Sequence, residues 1–236
     1  MKTEGMNRVK LLLVAVTGFF TGIACGQENK ISVDRFEKNL QNSNVQLLDV
    51  RSTAEYKSGH IPHTLQADWR NKEEFTERTG YLDKNKPVYV YCASGVRSEA
   101  AAVWLRKNGF RQVMELNGGL NAWKQQNKPV TIPDAVTRLS YSEYTAALDK
   151  KDKVLVVFCS EYLPLCTKNA AALKQLKATV TGKFEVIQYD AETGAQVMQQ
   201  LQVTGKPAYI LYRQGKETWR KQGPATVEEL KKVMEK

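Results

Sequence analysis

Histidine is almost missing from this chain. His60 and His63 are the only two in 236 residues. They are three apart with Pro62 between them, and no cysteine or carboxylate cluster stands beside them. A metal centre is therefore not expected, and a structural turn is. Cysteine is scarce too, with four residues, too few to staple a chain of this length into a disulfide scaffold. Glycine at 15 and proline at 7 exclude collagen-like and proline-rich low-complexity chains. No long apolar run is present. The longest, residues 11–20, falls well short of the roughly 20 residues that span a bilayer. Acidic residues are outnumbered, 25 against 35 Lys and Arg, for a net charge of +10. Those charges are scattered, as in RNKEEFTER and KKDK, with no basic block interleaved with aromatics. A nucleic-acid partner is not expected, and a solvated surface is. What remains is 42% hydrophobic and 25% charged, an ordinary globular mix long enough for two domains of about 100 residues each.

The first segment reads as an address. Lys2, Arg8 and Lys10 precede the apolar run, and small residues follow it up to Ala24. Basic, apolar, then small is the order of a secretory signal. Cys25, after Ile23 and Ala24, resembles a bacterial lipobox cysteine, with Gly22 departing from that pattern. The expectation is a signal peptide over 1–24, removal of that segment, and an acyl anchor on Cys25 that holds an exported protein to a membrane of the cell envelope.

Two α/β patterns follow. Ser32 can cap a helix carrying Val33, Phe36 and Leu40. Val45–Val50 and Pro87–Cys92 are short apolar runs typical of buried strands. Ser98–Asn108 is a strong helix, Phe110–Leu116 a further strand candidate, and a short helix runs through Trp123. Strand–helix alternation predicts a parallel sheet with helices packed on it. Two prolines, Pro129 and Pro133, mark a linker over 128–138. The alternation then restarts. Helices are expected over Ser140–Asp149, Leu165–Ala178 and Gly194–Leu201. Strands are expected at Val154–Phe158 and Phe184–Asp190. A hairpin should follow at Pro207, and Thr226 with Glu229 reads as a capping box opening the last helix.

The most informative stretch is Cys92-Ala93-Ser94-Gly95-Val96-Arg97-Ser98, between a buried strand and a helix. A cysteine there sits near unpaired backbone N–H groups at the positive end of a helix, which stabilise a thiolate and cradle an anion. Small residues let the backbone curl around one sulfur atom. Gly95 can take a positive φ. Arg97 adds a fixed charge and can brace the loop. With no histidine beside Cys92 in sequence, the loop itself must activate the thiol.

These residues carry a resemblance to single-domain rhodaneses, or sulfurtransferases, over residues 30–127. Leu47-Leu48-Asp49-Val50-Arg51 with Glu55-Tyr56 and Gly59-His60-Ile61-Pro62 resembles the family's first signature, departing from it at His63, where the family has glycine. Cys92–Ser98 resembles its catalytic loop, and Gly118-Gly119 with Trp123 its closing signature. The resemblance implies a parallel-sheet α/β domain in which Cys92 and Arg97 are catalytic and Ala93, Ser94, Gly95, Val96, Arg97 and Ser98 bind the substrate. Cys92 would take sulfur as a persulfide from a small donor such as thiosulfate and pass it to a thiol or to cyanide, with no cofactor and no metal. Four residues separate Cys92 from Arg97. The similar loop of cysteine phosphatases has five, a wider cradle, so sulfur transfer ranks above phosphate hydrolysis.

Residues 139–236 resemble thioredoxin. Val154–Phe158 and Cys159–Cys166 match its central strand and active-site turn, and Gly205-Lys206-Pro207-Ala208 its cis-proline turn. Over the family's W-C-G-P-C, residues 162–166 read Y-L-P-L-C. Leu163 replaces the attacking cysteine, and Val157 the buried acid. Cys159 stands where the family has tryptophan. Two readings stay open: a static Cys159–Cys166 bridge or a pair of buried thiols, and a non-standard redox pair giving thiol–disulfide oxidoreductase activity. A third possibility is a binding module, the thioredoxin frame docking a protein partner while the first domain carries sulfur.

Overall fold

The computed structural model describes residues 29–132, 138–149, 151–180 and 184–235. The expected signal peptide over 1–24 and the expected lipid site Cys25 lie outside them. No helix among the described residues is long and apolar enough to cross a membrane.

The first half runs β1 (Lys30–Ile31), α1 (Val33–Leu40), β2 (Gln46–Asp49), α2 (Thr53–Lys57), β3 (Leu65–Gln66), α3 (Lys72–Thr79), β4 (Val88–Tyr91), α4 (Val96–Lys107), β5 (Val113–Leu116) and α5 (Gly119–Gln125). The strands form one sheet in the order β1-β5-β4-β2-β3, every pair parallel. Side chains alternate across it. Leu48, Val88 and Val90 face a core completed by Phe75 and Leu105. Leu47, Tyr89 and Tyr91 face the other way, onto Phe36 and Trp123. Helices cover both faces, so β4 is buried throughout and reads as a continuous apolar run.

Four elements escape sequence reading, the first being β1, whose two residues are too few to show a pattern. α2 has five residues and β3 two, too short for a period to show. α3, KEEFTERT, buries only Phe75 and Thr79, so its apolar face is a single pair one turn apart. A fifth difference concerns the linker. Residues 128–132, expected to begin it, are tied to the first half. Trp123 Nε1 donates to the Pro129 carbonyl at 2.8 Å, and Thr131 pairs with His60 as an antiparallel bridge. The segment offers the Pro129 and Thr131 carbonyls to donors of the first half.

The second half runs α6 (Tyr141–Leu148), β6 (Lys153–Phe158), α7 (Pro164–Val180), β7 (Glu185–Tyr189), α8 (Ala195–Gln200), β8 (Ala208–Arg213), β9 (Lys216–Gln222) and α9 (Val227–Glu235). Its sheet order is β7-β6-β8-β9, with β6 and β7 parallel and the β8–β9 hairpin antiparallel. Val154, Val156 and Phe158 fill one core with Tyr144 and Ile210; Leu155 and Val157 fill another with Leu176 and Leu230. Ser140 and Glu143 form a full capping box on α6. At α9, Thr226 Oγ1 accepts from Glu229 N–H, while the Glu229 carboxylate is held by Lys221.

The halves touch. Gln66 N–H donates to the Tyr162 carbonyl at 2.9 Å, the Tyr56 and Tyr162 rings pack 5.1 Å apart, and Lys57 pairs with Glu192.

Candidate active site

Cys92 is the free cysteine among the described residues, and it is buried, 1% exposed, at the end of β4. The loop after it turns because Gly95 takes a φ of +101°, a left-handed conformation that glycine adopts without strain. That turn brings the Gly95 N–H to 3.1 Å from Cys92 Sγ. α4 begins at Val96, two residues before its expected start, so Arg97 and Ser98 belong to its first turn. Burial pushes the Cys92 thiol up. The Ser98 hydroxyl and the amides of Ser98, Ser94 and Gly95 outweigh it, and the thiol ends below its ordinary value. A thiolate is therefore favoured by short-range N–H and O–H dipoles at a helix N-terminus.

The Ser98 hydroxyl lies 3.0 Å from the Gly95 carbonyl and 3.6 Å from Cys92 Sγ. It has one proton for two acceptors. Donation to the sulfur becomes the better choice once the sulfur is charged.

Arg97 turns its guanidinium to Glu55 on α2. Both nitrogens engage both oxygens, Nη1 to Oε2 at 2.8 Å and Nη2 to Oε1 at 2.6 Å. This fork holds the Glu55 carboxyl at about 2, against the partial burial that opposes it. It also raises Arg97 above its ordinary value. Arg70 reaches the same carboxylate at 3.1 Å. Glu55 is in addition the third helical residue of a capping box with Ser52. Arg97 thus braces the loop against α2.

A third element closes the loop from behind. The N–H groups of Leu120 and Asn121 donate to the carbonyls of Cys92 and Ala93, at 2.8 and 3.0 Å. Gly119 makes this approach feasible. A Cβ there would stand 2.4 Å from the Cys92 carbonyl oxygen, and φ is +59°. Ser94 and Val96 face solvent at the mouth, Val96 being 74% exposed.

The other motif residues hold this frame in place. Arg51 forks onto buried Asp49 and donates to the Gly59 carbonyl at 2.8 Å. His60 stacks on Tyr56 at 3.7 Å, with its Nδ1 2.9 Å from the Tyr56 carbonyl. His63 has a φ of +59°, the left-handed conformation a glycine would take there. Among the described residues, no group of three or more His, Cys, Asp or Glu could hold a metal.

In the second half, Cys159 and Cys166 form a disulfide from the end of β6 to the first turn of α7, with Cα atoms 5.8 Å apart. Leu163 and Val157 are both buried beside it. The Lys206–Pro207 peptide is cis.

Of the loop residues Ala93–Ser98, the structure puts Ser94, Gly95 and Ser98 on the sulfur. Ala93 serves α5 through its carbonyl, Val96 lies at the mouth, and Arg97 serves Glu55. Glu55 stands in the first signature in sequence, but nothing there joins it to Arg97, 42 residues away, and that role appears only in the structure.

A rhodanese-like domain family matches residues 32–126, and a thioredoxin family matches residues 135–236. The chain is 32% identical over 107 residues to a protein named sulfurtransferase from Allochromatium vinosum, covering 45% of this chain and 97% of that one. It is 31% identical over 97 residues to the thiosulfate sulfurtransferase GlpE of Shewanella oneidensis, covering 41% of this chain and 93% of that one. It is 33% identical over 94 residues to the tRNA uridine(34) hydroxylase of Pelagibacter ubique, covering 40% of this chain but spanning only 31% of that protein's length. Among solved structures, a rhodanese-related protein from Thermoplasma volcanium aligns with a TM-score of 0.40 at 27% identity, over 44% of this chain and 99% of that one. Oxidised thioredoxin from Plasmodium falciparum aligns at 0.37 and 24% identity, over 43% and 96%.

Proposed function

Because the chain belongs to the rhodanese-like family through its first half and continues into a thioredoxin domain, we propose that it moves sulfane sulfur through a persulfide on Cys92. The Cys92 thiolate attacks the outer sulfur of thiosulfate. The sulfur–sulfur bond of the donor breaks, and sulfite leaves with the electron pair. A nucleophilic acceptor, cyanide or a thiol, then attacks the terminal sulfur of the persulfide, and Cys92 leaves as thiolate again. Two half-reactions of this kind give ping-pong kinetics. Arg97 acts here as a brace and as a fixed positive charge beside the loop.

The observation that carries this reading is the Gly95 N–H at 3.1 Å from Cys92 Sγ, in a loop only four residues long between Cys92 and Arg97. That ring is sized for one added sulfur, whose negative charge the remaining loop amides can receive. The test is intact mass after incubation with thiosulfate. A gain of one sulfur atom, lost on adding cyanide and missing in Cys92→Ser, is expected. A sulfur retained by Cys92→Ser would overturn the assignment.

Export to the cell envelope with an acyl anchor on Cys25 belongs to the same proposal. The basic, apolar, small order of residues 1–24 supports it, as does the Cys159–Cys166 disulfide, since structural disulfides persist in oxidising compartments. The mass of the mature protein reads this out: an acylated N-terminal cysteine agrees, and an unmodified one does not.

A further inference from the structure

The Tyr209 hydroxyl is sealed from solvent and has no hydrogen-bond partner among the described residues. A buried hydroxyl in that state is a standing cost to the fold and calls for an explanation. Tyr209 lies on β8 and lines a cleft of about 470 Å³, within the range of small-molecule sites. Leu165 and Leu173 of α7 line the same cleft, as do Val227 and Leu230 of α9. Asn169 lines it too, one turn after Leu165. Burial raises the pKa of the Tyr209 hydroxyl and the nearby Asn169 amide opposes that, although the two do not reach hydrogen-bond geometry. The cleft therefore has apolar walls and one unmet polar demand.

Its charges favour an anion. Glu229 lines the cleft, but Lys221 neutralises that carboxylate at 2.6 and 2.8 Å. Glu228 is the other acid of the lining and is exposed to solvent. Tyr81 reaches in from the first half, and Tyr81 and Lys168 line a neighbouring cleft as well. Lys84 and Lys86 line that second cleft, where Asp83 is the only acid and takes the Asn85 N–H. Among the described residues, none of Lys84, Lys86 and Lys168 has an ion-pair partner. Three uncommitted cations thus stand where the two clefts meet.

From an unpaired buried hydroxyl, apolar walls and unpaired lysines in one place, we infer that the cleft between α7 and α9 binds a small amphipathic organic acid. A hydrogen-bonding group at the inner end of the acid meets the Tyr209 hydroxyl, which can donate or accept. The apolar body lies among Leu165, Leu173, Val227 and Leu230. The anionic end meets Lys168, on the side where Lys84 and Lys86 stand. Binding supplies the bond that the Tyr209 hydroxyl lacks in the free protein. Neither the Cys92 loop nor the disulfide lines this cleft, so the inference stands whether or not sulfur transfer does.

The test titrates the full chain with 4-hydroxyphenylacetate and follows backbone amide shifts by NMR. Saturable shifts in α7 and α9 are expected, with an affinity that falls as salt is added. Tyr209→Phe should weaken this acid about tenfold and leave phenylacetate, which has no inner hydroxyl, unchanged. Lys168→Gln should weaken both acids and spare the neutral 4-hydroxyphenylethanol. Without any acid present, Tyr209→Phe should unfold at the same urea concentration as the parent or a higher one, because the hydroxyl it removes bonds nothing. Shifts that do not saturate or that lie outside the cleft overturn the inference. So does a Tyr209→Phe chain that weakens both acids alike, or one that is destabilised or unfolded, since the hydroxyl would then serve the fold alone.

Discussion

At the scale of single residues, the reactivity of Cys92 depends on where one proton goes. The Ser98 hydroxyl can donate to the Gly95 carbonyl or to the sulfur, and a charged sulfur draws it. Burial works against the thiolate, and the Ser98 hydroxyl is the largest contribution for it. Ser98→Ala should therefore move the pH midpoint of Cys92 alkylation upward. The sign follows from the thiolate being the reactive form: removing a group that lowers the folded thiol moves the onset of reactivity to higher pH. Iodoacetamide rates measured against pH check this, and an unmoved midpoint would show that Ser98 serves the fold only. Cys92, Gly95 and Ser98 are legible in the sequence because their chemistry is contiguous, one strand end followed by one helix start. Glu55 is not. Its partner Arg97 lies 42 residues away, and only the packing of α2 against the loop joins them.

At the scale of elements, the loop is held by helices that arrive from three directions. α4 supplies N–H groups, α2 supplies the Glu55 carboxylate, and α5 ties down the backbone carbonyls of Cys92 and Ala93. The last contact depends on a residue without a side chain. Gly119→Ala would drive a Cβ against the Cys92 carbonyl and the Ala93 backbone, neither of which is the end of a flexible chain. The expected cost is about 2–4 kcal/mol in urea unfolding, together with loss of sulfur loading at Cys92, because relief requires the loop to shift. A stable, fully loading Gly119→Ala protein would mean that α5 does not set the loop. The buried strands and long helices are readable because each buries a face of several residues. α2, β3 and α3 bury one or two side chains apiece, so their existence follows from neighbours that the sequence does not show. The cis peptide before Pro207 and the half-used box at Thr226 lie between these extremes. The residue types are visible, but which partner wins, Lys221 for Glu229 in this case, is settled by β9.

At the scale of the whole molecule, the short helix α2 serves both halves with three consecutive residues. Glu55 grips the Cys92 loop, Tyr56 packs on Tyr162, and Lys57 pairs with Glu192. Glu192 is a hub on the far side, since it also takes Lys206 at 2.7 Å and the Tyr162 hydroxyl at 2.5 Å. The exposed ion pair contributes little by itself. The Tyr162 ring, packed against Tyr56 and anchored to Glu192, contributes more. Removing it should separate the unfolding of the two halves. Trp69, Trp104 and Trp123 lie in the first half and only Trp219 in the second, so tryptophan fluorescence follows mainly the first half, while far-UV dichroism follows both. In the parent chain the two urea curves should coincide. In Tyr162→Ala they should part, because losing a packed aromatic and its hydrogen bond costs on the order of 3 kcal/mol, most of it at the junction and in the second half. Coincident, unshifted curves in Tyr162→Ala would show that the halves are held together elsewhere, and the main-chain bond from Gln66 to the Tyr162 carbonyl, which alanine preserves, would then be the contact that couples them.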